Sequence, residues 1–329
     1  MYRNPILFLA IFLISFPCSA QDISYAKKTI NTLTDKTYWG RGYTKNGMAK
    51  AANFIEKEFR KIGLAPVNQA GYQQHFSFAV NTFPGKMDLE INHKKLQPGK
   101  DFIVHQASKG IVATDSLVAK DSSVYIAKHH QLILSIMPKL TWSVSQQVLD
   151  YAHIEINKNS LPLHPTTIKV AIENRLDTAF TAANVIGIIK GTSRPDSIVV
   201  FTAHYDHLGG MGPNTYFPGA NDNASGVAML LDLAKHYAKH PAKYSIAFIA
   251  FAAEEAGLLG SKYYAANPLN DLKKVMFLIN VDMAGTGDDG IQVVNGSIFT
   301  KEFELLTKLN AEKKYLPEVK VRGAMNRSD

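Results

Sequence analysis

Met48, Ala51, Ala52, Ile55, Phe59 and Ile62 recur at helical spacing and stop at Gly63. This predicts an amphipathic helix closed by a glycine cap. A shorter stripe of Ile23, Ala26, Ile30 and Leu33 follows Asp22, predicting a second helix with that aspartate as its N-cap. Tyr72, Phe76, Phe78 and Val80 share one face of an extended stretch. From residue 84 to about 180 the pattern shortens to alternating runs such as 87–91, 123–126 and 168–172, separated by polar, Gly and Pro punctuation. That texture predicts a strand-rich insertion. After residue 183 it changes again. Apolar runs at 185–189, 198–201, 245–251, 275–279 and 291–294 are short enough for buried strands. Helical stripes run between and after them: Val227, Leu230, Leu231, Ala234 and Tyr237; then 258–266; then 301–314, with Phe303, Leu306 and Leu309. Strands alternating with helices predict an α/β fold with a mostly parallel central sheet and helices on both faces.

The first twenty residues stand apart. Arg3 precedes an apolar run over 6–16 that is short for a bilayer, and Cys18-Ser19-Ala20 supplies small residues before Gln21. This is the pattern of a cleaved secretory signal at 1–20, so the expected protein is exported, periplasmic or extracellular, with no stable membrane anchor after cleavage. The rest divides into an opening part of the core (21–83), the insertion (84–180) and the main α/β part (181–329). Cys18 is the only cysteine, so a metal site in the mature chain would use His, Asp and Glu. The formal charge of +8 comes from scattered Lys and Arg with no dense run, which argues against a nucleic-acid partner. Within the insertion, His93, His105, His129, His130, His153 and His164 have no metal-like spacing and read as surface or packing residues.

The candidate chemistry lies just past the ends of the predicted strands. His204 and Asp206 follow the run ending at Phe201, Glu254 and Glu255 follow Phe251, and Asp282 follows Ile279. Asp222 sits in the Gly- and Asn-rich segment 219–226, ahead of a predicted helix. In open α/β sheets the ligand crevice lies outside the carboxyl ends of the strands. His204 and Asp206, two apart, can point the same way, so Asp206 could orient a metal-bound His204. Adjacent Glu254 and Glu255 would repel if both were buried and charged. A divalent metal resolves this, with one carboxylate ligating and the other free as a base. Carboxylate and imidazole donors suit zinc first, then manganese or cobalt. His207 reads as structural or supporting. Asn223-Ala224-Ser225 matches a glycosylation sequon, which a site loop would accept poorly.

Four motifs occur in order: His204-Tyr205-Asp206, then 219–226, then Glu254-Glu255-Ala256-Gly257-Leu258-Leu259-Gly260-Ser261, then Asn280-Val281-Asp282-Met283. Together they resemble the di-zinc aminopeptidase family that also contains glutamate carboxypeptidase and glutaminyl cyclase, most strongly over 183–287. The resemblance implies the zinc exopeptidase fold, with 84–180 similar to a protease-associated insertion. It implies that Asp222 bridges two zinc ions and that His204 and Asp282 complete one site. Glu255 binds the other zinc, with a His placed after a Ser-Asp pair such as Ser328-Asp329. The sequence ends at that pair, so the expectation is a second site lacking its His in this chain. Glu254 would be the general base, Asp206 an orienting group, and the Asp222–Asn223 peptide cis. The implied activity is aminopeptidase hydrolysis of a peptide with a free N-terminus by metal-activated water. A carboxypeptidase or dipeptidase of the same family, and a catalytically dead binding protein on this scaffold, remain open.

Overall fold

The computed structural model describes residues 22–67, 69, 71–324 and 328–329; the expected signal segment at 1–20 lies outside them. Asp22 accepts the Tyr25 N–H and opens α1 (Ile23–Leu33). The six-residue helix Lys36–Arg41 leads to α2 (Gly47–Ile62), which ends at Gly63 with φ 96°. The long strand β1 (Gln73–Thr82) follows. Eight strands then form a sheet of their own: β2 (Met87–Ile91), β3 (Lys94–Leu96), β4 (Phe102–Val104), β5 (Ile111–Ala119), β6 (Val124–Ala127), β7 (Leu132–Met137), β8 (Ala152–Asn157) and β9 (Thr167–Ile172). Their order is β3-β2-β9-β5-β6-β7-β8-β4, around a core that includes Phe102, Leu134, Ile154 and Ile156.

The chain returns in β10 (Arg175–Ile189), which starts ahead of the boundary expected at 180, and continues in β11 (Arg194–His204). Two-residue strands β12 (Gly210–Met211) and β13 (Thr215–Tyr216) pair with each other. Then come α3 (Gly226–Lys239), β14 (Tyr244–Phe251), α4 (Leu259–Ala266), β15 (Val275–Asn280), β16 (Ile291–Val293), α5 (Thr300–Lys313) and β17 (Val319–Val321). The central sheet has the order β1-β10-β14-β11-β15. Residues of α1, α2 and α3 pack on one face, where Leu33, Phe59, Leu231 and Phe248 meet. Tyr264 of α4 packs on the other, against Ile186, Ile249 and Phe251. Among the described residues no helix is long and apolar enough to cross a membrane.

Three expectations are corrected. The sheet is mixed rather than mostly parallel: β14 and β15 run parallel to β11, but β1–β10 and β10–β14 are antiparallel. The link between Ile189 and Arg194 is too short for a helical crossover, so the chain must reverse there. Among the described residues the 275–279 run lies at the sheet's edge, with Met276 56% and Leu278 46% exposed. No residue of α5 is buried, so its Phe303, Leu306 and Leu309 stripe faces no core among the described residues. The pair β16–β17 stands apart from the central sheet.

Two of the insertion's histidines serve a buried acid. Asp115 of β5 is 8% exposed and accepts the Ser116 and His129 backbone N–H groups and the His130 Nδ1–H at 2.7 Å. His105 and His153 come close to Glu155, but the two rings stack nearly parallel at 4.9 Å, so their in-plane lone pairs run side by side instead of converging. Burial acts to raise the Asp115 carboxyl; the three donors outweigh it and hold it lowered from 3.8 to about 2. A depressed folded-state value stabilises the fold above the unfolded value, and that contribution is lost as pH falls through the folded one. Asp115→Ala is therefore expected to cost about 2 kcal/mol near neutral pH. In urea unfolding, its gap to wild type should narrow as pH falls from about 5 toward about 2; a gap independent of pH would contradict this.

Candidate metal centre

The parallel strands β11, β14 and β15 end at one edge of the sheet. His204 closes β11 opposite Phe251, the last residue of β14. Glu254 and Glu255 lie just beyond Phe251, and Asp282 lies just beyond Asn280 at the end of β15. Asp222 occupies the irregular turn Ala220–Ser225 ahead of α3, where its peptide bond to Asn223 is cis. The structure thus brings His204, Asp206, Asp222, Glu254, Glu255 and Asp282 to one edge.

Their donor atoms sort into two groups. His204 Nε2 lies 3.2 Å from Asp222 Oδ1 and 3.3 Å from Asp282 Oδ1. Four ligands at about 2.0–2.1 Å around a tetrahedral zinc are separated by about 3.3 Å, so this set fits zinc. Asp222 also belongs to a second group with Glu255 and His207. There His207 Nδ1 lies 2.7 Å from Glu255 Oε1. That is a hydrogen-bond length, shorter than the spacing of co-ligands, and reads as His207 donating to the Glu255 carboxylate and fixing its orientation. Burial alone would lower the His204 imidazole, but Asp206, Asp222 and Asp282 outweigh it and hold the ring well above its usual value. A field that favours an imidazolium there also favours a dication.

Asp206 has partners besides His204. It is fully buried, and its nearest oxygen lies 3.7 Å from His204 Nδ1. Its oxygens accept the Glu254 N–H at 3.0 Å, the Glu255 N–H at 3.3 Å and the Tyr43 hydroxyl at 3.2 Å. It therefore clamps the turn that carries both glutamates. The Glu254 carboxylate has no hydrogen-bond or ion-pair partner among the described residues. Burial first, then the charges of Asp206, Glu255 and Asp329, push its carboxyl up to about 8, against the pull of His204.

Sequence reasoning missed several supports. Asn223 is fully buried; its amide donates to Val281 O and accepts from Gly226 and Met283 N–H. Those bonds tie the Asp222 loop to the segment carrying Asp282, and they leave the sequon asparagine inaccessible. Asn221 adds a bond from Gly285 N–H. Ser328 Oγ donates to Asp282 Oδ2 at 2.6 Å and accepts from the Asn280 amide, which in turn accepts from Thr202. The Ser-Asp pair in the sequence was the available signal for that contact. The Asn-rich loop was the signal for Asn221 and Asn223.

Residues 184–329 match the model of peptidase family M28. Aminopeptidase YwaD of Bacillus subtilis is 43% identical over 109 residues, covering 32% of this chain and 22% of that protein. A probable zinc metalloprotease of Pyrenophora teres f. teres is 37% identical over 124 residues, 36% of this chain and 26% of its own length. The chain thus spans about a quarter of the curated relatives it matches. A zinc aminopeptidase from Bacillus subtilis superposes with a TM-score of 0.64 at 21% identity, covering 93% of this chain and 80% of that structure. An aminopeptidase from Aneurinibacillus sp. strain AM-1 gives 0.61 at 22% identity, covering 94% and 81%. Those identities show a shared fold. The match to peptidase family M28 thus falls on the motif-bearing part of the chain, residues 184–329.

Proposed function

We propose that the protein carrying this chain acts as an exported zinc aminopeptidase that removes residues from the free N-terminus of peptides and holds two zinc ions, the second taking as a further ligand the His expected after Ser328-Asp329. The observation that carries the reading is the spacing of His204 Nε2, Asp222 Oδ1 and Asp282 Oδ1, with Asp222 shared by a second group that contains Glu255. His204 and Asp282 would hold one ion and Glu255 the other, with Asp222 between them. When bound, zinc polarises the scissile carbonyl, acidifies water and draws the Glu254 carboxyl down from its raised value. Glu254, adjacent to Glu255 and unpaired, then accepts the proton of the attacking water and returns it to the leaving amine. Asp206 keeps that turn fixed through the Glu254 and Glu255 N–H groups. The names of the aminopeptidase relatives support the N-terminal direction. The pattern of residues 1–20 supports export.

Three outcomes follow. Amino-acid nitroanilides should be cleaved, chelator should abolish turnover and zinc should restore it; cleavage only of peptides with blocked N-termini would overturn the reading. Glu254→Gln should keep its zinc while turnover falls about 10²–10⁴-fold, and full activity would remove Glu254 as the base. N-terminal sequencing of the exported protein should start at Gln21, and an intact Met1 on exported material would contradict the signal assignment.

A further inference from the structure

Arg41 is fully buried, yet none of the described carboxylates lies within ion-pair distance of it. Its guanidinium donates only to carbonyls. Nε reaches Tyr205 O at 2.8 Å, Nη1 reaches Leu33 O at 3.0 Å and Pro218 O at 2.7 Å, and Nη2 reaches Gly219 O at 2.7 Å and Asp222 O at 3.2 Å. All five N–H groups of the fork are thereby used. Tyr205 lies between His204 and Asp206, and the span from Pro218 to Asp222 is the loop that carries Asp222. One cation thus ties the end of β11 to that loop.

The fit is close on every side. Trp39, Gly40 and Arg41 are consecutively left-handed, with φ of 46°, 59° and 48°. Such a run persists only where the surroundings enforce it. A Cβ at Gly219 would collide with Asp222 O and His207 Cδ2 and press on Arg41 Nη2, and a Cβ at Gly42 would collide with the Gly209 backbone. Burying a guanidinium without an adjacent carboxylate costs several kcal/mol. Carbonyl dipoles offset part of that cost. The charges of Asp206, Asp222 and Glu255 offset more, opposing the burial that lowers the group to about 10.

We propose that Arg41 is a positioning residue for the metal centre: it fixes the Asp222 loop against the end of β11, so that one Asp222 carboxylate serves both donor groups. The inference rests on the zinc reading above and adds a specific consequence. Because Asp222 is shared, loss of Arg41 weakens both zinc ions together. Arg41→Lys keeps the charge but not the planar fork, so it separates charge from geometry.

The experiment is zinc binding to the full-length protein by competition with a chelator of known affinity, well below the thermal transition of each variant. Arg41→Lys and Arg41→Met should each lose about 10–100-fold in affinity at both sites. Asp115→Ala, which loosens the fold elsewhere, should lose none. Circular dichroism checks that each variant is folded, and Arg41→Lys, which keeps the charge, covers the case in which Arg41→Met does not fold. Wild-type affinity at both sites in folded Arg41→Lys, or a loss confined to one site, would overturn the proposal while leaving the zinc reading intact. A wild-type protein that binds no zinc would overturn the zinc reading, and this proposal with it.

Discussion

Asp206, Asp222, Glu254, Glu255 and Asp282 crowd one half-buried edge of the sheet, and like charges at that separation repel strongly where water is scarce. Everything nearby acts to contain that repulsion. The Asp206 charge is spread over two backbone N–H groups and a tyrosine hydroxyl. Asp222 and Asp282 share the His204 ring, whose field holds both carboxyls below their usual range despite burial. Glu254, whose carboxylate has no such partner, is pushed up. A site that holds acids this close is poised for a dication, and the same arrangement leaves one carboxylate free to move protons.

The surrounding polypeptide is organised by the same requirement. Strands β11, β14 and β15 deliver their ends in register, because β11 pairs with both of the others in parallel. The Asp222 loop cannot be held by sheet pairing, so other groups bind it: Asn221 and Asn223 toward the Asp282 segment, and Arg41 from beneath. His207 is tied to Glu255 in turn. The geometry of the donors is thus a property of a bonded network and not of single side chains.

Much of this was legible in the sequence. α2 could be read from its stripe and its closing glycine, and the acids from their places after apolar runs. What was not legible has physical reasons. Periodicity marks a strand as apolar without saying whether it lies inside the sheet or at its edge, so the exposure of Met276 and Leu278 among the described residues was hidden. Alternation of strands and helices suggests parallel pairing, yet the tight link after Ile189 forces a reversal. Asp206 is two residues from His204 in sequence, but its oxygens face the Glu254 turn. Arg41 lies far from the motifs along the chain, and a lone arginine in a Gly-rich segment gives no sign of five carbonyl partners.

The most direct measurement is anomalous diffraction at the zinc absorption edge from crystals of the full-length protein. The account predicts one zinc peak about 2.0–2.2 Å from His204 Nε2 and from oxygens of Asp222 and Asp282. It predicts a second peak about 3.5–4 Å from the first, sharing Asp222 and contacting Glu255. Zinc bound away from His204 and Asp222, or two ions without Asp222 between them, would contradict it.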